Sequence, residues 1–292
     1  MTAISEGVSW PDPAWLDRFI KASLKEDIGP RDHSTHSCIP YGTSGRSSLL
    51  IKENAILAGL DLAERILLYL DPELRIERKG IGDGDRVRKG DIVLEVEGHI
   101  RSILAGERLI LNCSQHMSGI ATLTASFVDK VRDLSVGIND TRKTTPGIRP
   151  LQKWAVRLGG GSNHRQGLHD MILLKDNHID RAGGVEKTLN AAVQYLEQEG
   201  LDLPIEVEAR DLNEVRSILD TARVDRIMLD NFSLEATREA VEVIDEAAII
   251  EASGGITLDT VREYAECGVD RISVGALTHS PPSIDMSFKA ST

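Results

Sequence analysis

Hydrophobic and polar positions change period along this chain, and the changes predict its elements. Leu16, Phe19, Ile20 and Leu24 recur near a 3.6-residue spacing, so Trp15–Glu26 is predicted as an amphipathic helix. A Gly/Pro/Ser-rich link, IGPRDHSTHSCIPYGTSG, leads to RSSLLIKENAILAGL, which reads as β-structure. Asp61–Leu70 is helical in pattern, with Leu62, Ile66, Leu67 and Leu70 inward, and Ala105–Ala125 reads as a long helix entering a second domain. Beyond it, short apolar runs alternate with helical patterns. The predicted strands are Val136–Asn139, Met171–Leu174, Ile205–Glu208, Arg226–Leu229, Ala248–Ala252 and Arg271–Val274. VEKTLNAAVQYLEQEG, LNEVRSILDTA, SLEATREAVEVID and TLDTVREYAECG lie between them as crossover helices, which implies parallel strands. Six strands are two short of an eightfold barrel, so an open or incomplete α/β barrel is expected, with a doubly wound sheet as the alternative.

In the first half, GIGDGDRVRKGDIVLEVEGHI reads as two short strands with Gly-Asp turns, similar to the hairpin of a lipoyl or biotinyl carrier domain. A carrier needs an exposed Lys at the hairpin tip. Lys89 precedes Gly90 at the turn and no Lys follows in LEVEGHI, so a structural β-sandwich is the reading.

Composition narrows the class. Hydrophobic residues make up 41% of 292 positions but aromatics only 4%, which points to an aliphatic β/α core. No run of about 18 apolar residues marks a membrane span, and MTAISEGVSWPDPAW shows no secretory signal. Cys38, Cys113 and Cys267 are widely spaced, with no CxxC pair, and suit a reducing cytoplasm. Cys113 falls on an apolar helix side and is expected to pack. His33 and His36 lack a third ligand in spacing and are expected at the surface.

Charge then changes the picture. Between Asp140 and His178, Arg142, Lys143, Arg149, Lys153, Arg157, Arg165 and Lys175 face only Asp140, Asp170 and Asp176. Seven positives less three negatives give +4 locally in a chain of net charge −12. Cations gathered against that trend suggest a pocket for a small polyanion, whereas nucleic acid would need a broad basic face.

Polar residues also recur at strand ends, where β/α barrels keep their working groups. Asn139-Asp140-Thr141-Arg142-Lys143 follows the first strand and Lys175-Asp176-Asn177-His178 the second. Glu206 and Glu208 share one face of the third by strand alternation. Asp230-Asn231, Ser253-Gly254-Gly255 and Gly275-Ala276 end the remaining three. Each cluster alone could be a solvated helix start, a turn or a local ion pair; six in register are hard to assign to surface polarity. Gly159-Gly160-Gly161 beside Asn163, His164 and Arg165 suits a loop closing over an anion. SGGI and VGAL on the last two strands resemble the phosphate grip of many barrels. No GxxxxGK[ST] loop and no GxGxxG opening a βα unit is present, which disfavours nucleoside triphosphates and dinucleotides. One phosphate site, two carboxylates and a cation cluster would suit a phosphorylated sugar with an acidic co-substrate, and the carboxylates could hold ribose hydroxyls and magnesium.

DTRKTTPGIRPLQKWAVRLGGGSNHRQGLHDMILLKDNHI resembles the signature of the quinolinate phosphoribosyltransferase family, type II phosphoribosyltransferases. The likeness continues in family order through KEDIGPRD, NAILAGL, GERLILNCSQHMSGIAT, IEVEARDLNEV, IMLDNF, EASGGITLDTV and VGALTHSPPSIDMSFK. It implies an N-terminal α/β sandwich over 1–115, rejoined by 276–292, and an open α/β barrel over 116–275. It also implies a homodimer with shared active sites, sometimes built up to a hexamer; the cysteines suggest a cytoplasmic protein, and charge and hydropathy suggest no nucleic-acid or membrane partner. The implied reaction joins quinolinate to phosphoribosyl pyrophosphate (PRPP) with Mg2+, giving nicotinate mononucleotide, pyrophosphate and CO2. By matching position, Arg142, Lys143, His164, Arg165 and Lys175 would hold the quinolinate carboxylates and pyrophosphate. Arg108 would reach into the partner subunit's site. Glu208 and Asp230 would contact ribose hydroxyls and metal, and Ser253, Gly254 and Gly275 the 5′-phosphate. Lys143, Lys175, Glu208 and Asp230 are the expected catalytic residues. One departure is visible: many members carry Arg in an LQRxSG stretch where this chain has His116, expected still to donate a hydrogen bond. The rival readings are a paralogue acting on another base and a silent sensor of phosphoribosyl compounds.

Overall fold

A computed structural model describes residues 11–221 and 224–291. Residues 1–10, which carry most of the stretch read above for a secretory signal, lie outside it. The chain opens with α1 (Pro13–Ile28), started by Asp12, whose carboxylate accepts the Ala14 and Trp15 N–H groups, with Pro13 in the first turn. Leu16, Ile20 and Leu24 are its buried stripe, as the period requires. The link holds an unforeseen short helix, α2 (His33–Cys38), capped by Asp32 onto the Thr35 N–H. Then come β1 (Ser44–Ile51), β2 (Ala55–Ile56), α3 (Leu60–Leu70), β3 (Arg75–Arg78), β4 (Arg86–Val87), β5 (Ile92–His99) and α4 (Ile100–Val131). Onward run β6 (Gly137–Asn139), α5 (Arg149–Leu158), β7 (Ile172–Leu174), α6 (Asp176–Ala182), α7 (Val185–Glu199), β8 (Ile205–Ala209), α8 (Leu212–Thr221) and β9 (Arg226–Asp230). The last elements are α9 (Leu234–Ile244), β10 (Ile249–Ser253), α10 (Val261–Ala265), β11 (Arg271–Ser273), α11 (Ala276–His279) and β12 (Met286–Ser291).

Two compact units result. One contains the described residues up to Ala125, with Thr145–Gly160 and the chain from Ser280 onward; the other contains Ser126–Thr144 and Gly161–His279. Compared with the expected division at 115/116 and 275/276, the first unit also takes 116–125 of α4 and the α5 segment, while α11 (Ala276–His279) stays with the second. No helix among the described residues is long and apolar enough to cross a membrane.

The first unit is built on an antiparallel sheet ordered β12-β1-β5-β3. The expected hairpin within GIGDGDRVRKGDIVLEVEGHI does not form: β4 pairs β2, while β5 pairs β1 and β3. Gly-Asp turns bend the chain there without fixing which strand takes the ladder. The C-terminus returns to this unit because β12 pairs β1 from Arg46↔Ser291 to Ile51↔Met286, and Ile284 N–H donates to Gln115 O at 3.1 Å. His116 lies in this unit. Gln152 Nε2 donates to His116 Nε2 at 2.8 Å, and burial lowers the His116 pKa, so this ring nitrogen accepts. Gly59 gives α3 no side-chain cap; Asp83 supplies one from outside, accepting the Leu60 and Asp61 N–H groups at 2.9 and 3.1 Å. Asp83→Ala is therefore expected to cost about 1 kcal/mol, seen as a lower urea midpoint at unchanged m-value.

The second unit holds a six-stranded parallel sheet ordered β6-β11-β10-β9-β8-β7. Each predicted strand is present within a residue or two of its predicted bounds. Strands β6 and β7 are consecutive in the chain yet occupy opposite ends of this order. That is the topology of an α/β barrel left open between its first and second strands. The parallel strands are apolar inside, as a sheet covered by helices demands: Val207, Ile227, Leu229, Ala252 and Ile272 are buried. All strands point the same way, so their C-terminal ends gather at one rim.

Candidate active site

That rim surrounds a cavity of about 600 Å³. Thr141, Arg142 and Lys143 enter it after β6, Leu173 and Lys175 at β7, Glu208 from β8, and Met228, Asp230 and Asn231 from β9. Ser253, Gly254 and Gly255 close it after β10, Ser273 from β11, and His164 and Arg165 from the loop after α5. Nine expected residues thus meet here: Arg142, Lys143, His164, Arg165, Lys175, Glu208, Asp230, Ser253 and Gly254. Gly275 stands just behind the lining. A Cβ there would come 3.0 Å from Lys143 Cδ, so the glycine leaves room for the lysine stem. Arg108 is exposed on α4 in the first unit and is not part of this lining.

The glycine-rich loop reaches the rim by adding to the sheet end. Ser162 bridges Asn139 in parallel, with Ser162 N–H donating to Ile138 O at 2.8 Å and Asp140 N–H to Ser162 O at 3.1 Å. Asp140, fully buried, then anchors the turn: it accepts Asn163 Nδ2 at 2.6 Å and the His164 N–H at 2.9 Å. Arg165 is delivered from that turn and is largely buried. Burial and the neighbouring Arg142 charge both hold its pKa below the ordinary guanidinium value, more than Glu206 and Asp170 offset. Two guanidinium groups that repel one another in one cavity form a receptor for anionic charge.

Across the cavity, Lys175 Nζ donates to Glu208, whose side chain is almost wholly buried. Asp230 accepts Asn231 Nδ2 at 2.9 Å. Asn231 has φ of 57°, a left-handed conformation that Asn tolerates better than most residues, and its N–H donates to Ser253 O at 2.8 Å. Among the described residues, no third His, Cys, Asp or Glu joins Glu208 and Asp230 in a metal-ligating group. Two carboxylates facing a polar cavity suit a hard cation that takes its other oxygens from substrate and water.

Sequence reasoning missed a layer beneath the cavity. His164 Nε2 lies 2.9 Å from Glu206 Oε2 and 3.4 Å from Glu251 Oε1, and Arg226 Nη1 donates to Glu251 Oε2 at 2.6 Å. Burial disfavours a charged His164 ring, but the contact with Glu206 and the charges of Glu251 and Glu206 outweigh it and raise the pKa. For Glu251, burial and the Glu206 charge raise the pKa. The signal was available: Glu251 and Arg226 are charged residues inside runs that otherwise read as parallel-strand core.

Residues 32–118 match the family description "Quinolinate phosphoribosyl transferase, N-terminal domain", and residues 120–289 match its C-terminal domain. The chain belongs to the quinolinate phosphoribosyltransferase family. Its relatives in that family include "Quinolinate phosphoribosyltransferase (decarboxylating) 2b, mitochondrial" of Nicotiana tabacum, 44% identical over 95% of this chain and 82% of that protein. A "Probable nicotinate-nucleotide pyrophosphorylase (carboxylating)" of Synechocystis is 41% identical over 95% of this chain and 94% of its own. The crystal structure of NadC from Streptococcus pyogenes superposes with a TM-score of 0.91 at 40% identity, covering 96% of this chain and 98% of that one. The fold of this quinolinate phosphoribosyltransferase family member is thus an N-terminal sandwich with an open α/β barrel.

Proposed function

We propose that this protein transfers the phosphoribosyl group of PRPP to quinolinate with decarboxylation, forming nicotinate mononucleotide, pyrophosphate and CO2 in de novo NAD biosynthesis. The observation that carries the reading is the convergence of Arg142 and Arg165 in one cavity, with the Arg165 pKa lowered by burial and by its neighbour. A dicarboxylate relieves that repulsion, and paired guanidinium forks fix a planar ring in one orientation. Relatives named for this reaction, matched over nearly the whole chain, support it independently.

Arg142, Lys143, Arg165 and Lys175 would hold the quinolinate carboxylates and the pyrophosphate. Glu208 and Asp230 would face the ribose hydroxyls, and Ser253, Gly254 and Gly275 would grip the 5′-phosphate. Breaking the bond from the anomeric carbon to pyrophosphate builds positive charge on the ribose, which the two carboxylates stabilise. The pyridine nitrogen bonds to that carbon and becomes cationic. The C2 carboxylate then leaves as CO2, its bonding electrons remain at C2 beside the cationic nitrogen, and C2 takes a proton. Mg2+ held with Glu208, Asp230 and substrate oxygens would neutralise charge on the departing pyrophosphate. Arg108, exposed on α4, would serve the cavity of a second copy in a homodimer or a hexamer built from dimers. A cytoplasmic location is supported by three free cysteines, Cys38, Cys113 and Cys267.

The test is CO2 release from quinolinate labelled at its C2 carboxyl, with purified protein, PRPP and Mg2+. Release should require PRPP, match nicotinate mononucleotide formed, and stop when EDTA removes the metal. PRPP binding without any release would turn the assignment toward another base or a sensor.

A further inference from the structure

Below the cavity floor lies a closed set of charged and polar groups that the transfer itself leaves unused. Glu206 on β8 and Glu251 on β10 are both fully buried. Glu251 is saturated: Arg226 Nη1 donates to it at 2.6 Å, Asn139 Nδ2 at 3.2 Å, and Ser273 Oγ also donates to it. Glu206 is placed differently. Arg226 Nη1 remains 3.9 Å away, and Glu206 Oε2 instead faces His164 Nε2 at 2.9 Å. Among the described residues, neither Glu206 oxygen has a hydrogen-bond partner of good geometry, so the imidazole is the group it meets at close range. On the ring's other side, His164 Nδ1 accepts the Arg165 N–H at 2.8 Å. An accepting Nδ1 places the ring proton on Nε2, toward Glu206.

We propose that Glu206, backed by the Glu251–Arg226 pair, is a positioning residue that fixes the His164 ring and through it sets Arg165 against the ligand. His164 lines the cavity, but both ring nitrogens lie close to protein groups, Nε2 facing Glu206 at 2.9 Å and Nδ1 accepting the Arg165 amide. Histidines held to a task commonly have their second nitrogen tied to a carboxylate in this way. A carboxylate with no other close partner defines the tautomer more sharply than a solvated ring could. The ligand arm of this inference rests on the quinolinate reading above; the ring arm does not.

The experiment compares full-length wild type, Glu206→Ala and Glu206→Gln by two readouts. In 15N-histidine spectra without substrate, recorded at a pH above the raised His164 pKa and with His164 assigned through His164→Gln, the wild-type ring should show one protonated and one unprotonated nitrogen without tautomer exchange. Glu206→Ala should lose that signature. Quinolinate titration should then show about tenfold weaker binding in Glu206→Ala, the scale on which loss of a group supporting a ligating histidine is felt. Glu206→Gln, whose amide oxygen can still accept from Nε2, should recover most of the affinity, and PRPP affinity should stay at its wild-type value in both. Unchanged His164 signals in the folded Ala variant, or equal losses of quinolinate and PRPP affinity, would overturn the proposal. If Ala does not fold, Glu206→Gln decides: exchanging carboxylate for amide must shift the His164 resonances, and identical shifts overturn it. A wild type that binds no quinolinate would sink the functional reading alone, and the ring signals would still judge this one.

Discussion

Arg165→Ala is expected to weaken quinolinate binding by about 2–5 kcal/mol, or roughly thirty- to five-thousand-fold. The size follows from desolvation. Arg165 is only 8% exposed, so a carboxylate docked against it is withdrawn from water and loses a close compensating charge when the guanidinium goes. Arg142 remains in the same cavity and can keep one carboxylate, which is why binding should fall without vanishing. The substitution also removes the repulsion and burial that lower the Arg165 pKa, so the free protein should melt no lower than wild type. Its side chain gives up only a 3.3 Å hydrogen bond to Met171 O. Arg165→Lys should fall between the two, since an ammonium restores charge but not the two-pronged geometry. Calorimetric titration of quinolinate, paired with thermal melts, checks both halves. Wild-type affinity in Arg165→Ala would remove the residue from the ligand site, and a lowered melting temperature would make it structural.

Much of this site was legible because parallel α/β sheets put chemistry at one end of each strand. Lys175, Glu208, Asp230 and Ser253 could be found simply by reading one or two residues at or past each apolar run. Partners were harder. Strand alternation put Glu206 and Glu208 on one face, but nothing local says that Glu208 meets Lys175 while Glu206 meets His164. Both pairings depend on how the β7–β8 neighbourhood and the 161–165 loop register against the sheet. Glu251 went unnoticed because IIEAS reads as an ordinary strand, although a carboxylate amid buried Ile250 and Ala252 was itself a signal. In the first unit, Met286 and Phe288 alternate inward on β12, but a two-residue period cannot reveal that the partner is β1, more than two hundred residues earlier. The mispaired β4–β5 region has the same origin: turns are local, and ladders are not.

Gly254→Ala is expected to lower kcat/KM for PRPP by about a hundredfold or more, close to 3 kcal/mol of transition-state stabilisation. Two independent costs meet at this residue. Its φ is +103°, a conformation that an L side chain rarely adopts, and holding alanine there costs about 1–3 kcal/mol. A Cβ would also lie 2.2 Å from Asn231 Oδ1 and 2.9 Å from Asn231 N, and that second atom is backbone. Relief must therefore come from moving the Asn231 main chain, which is already left-handed and bonded to Ser253 O. Asn231 Nδ2 holds the Asp230 carboxylate, so the displacement passes straight to a group proposed to face the ribose. One methyl group would thus disturb the proposed phosphate grip and the proposed ribose contact together, whereas Arg142 and Arg165 lie on other segments. Quinolinate affinity should accordingly stay near wild type while the PRPP KM rises and kcat falls. Steady-state kinetics with each substrate varied in turn reads this directly. A PRPP kcat/KM within about threefold of wild type would mean that the β9 and β10 loops yield more easily than their backbone contacts imply, and would take the 5′-phosphate away from Gly254.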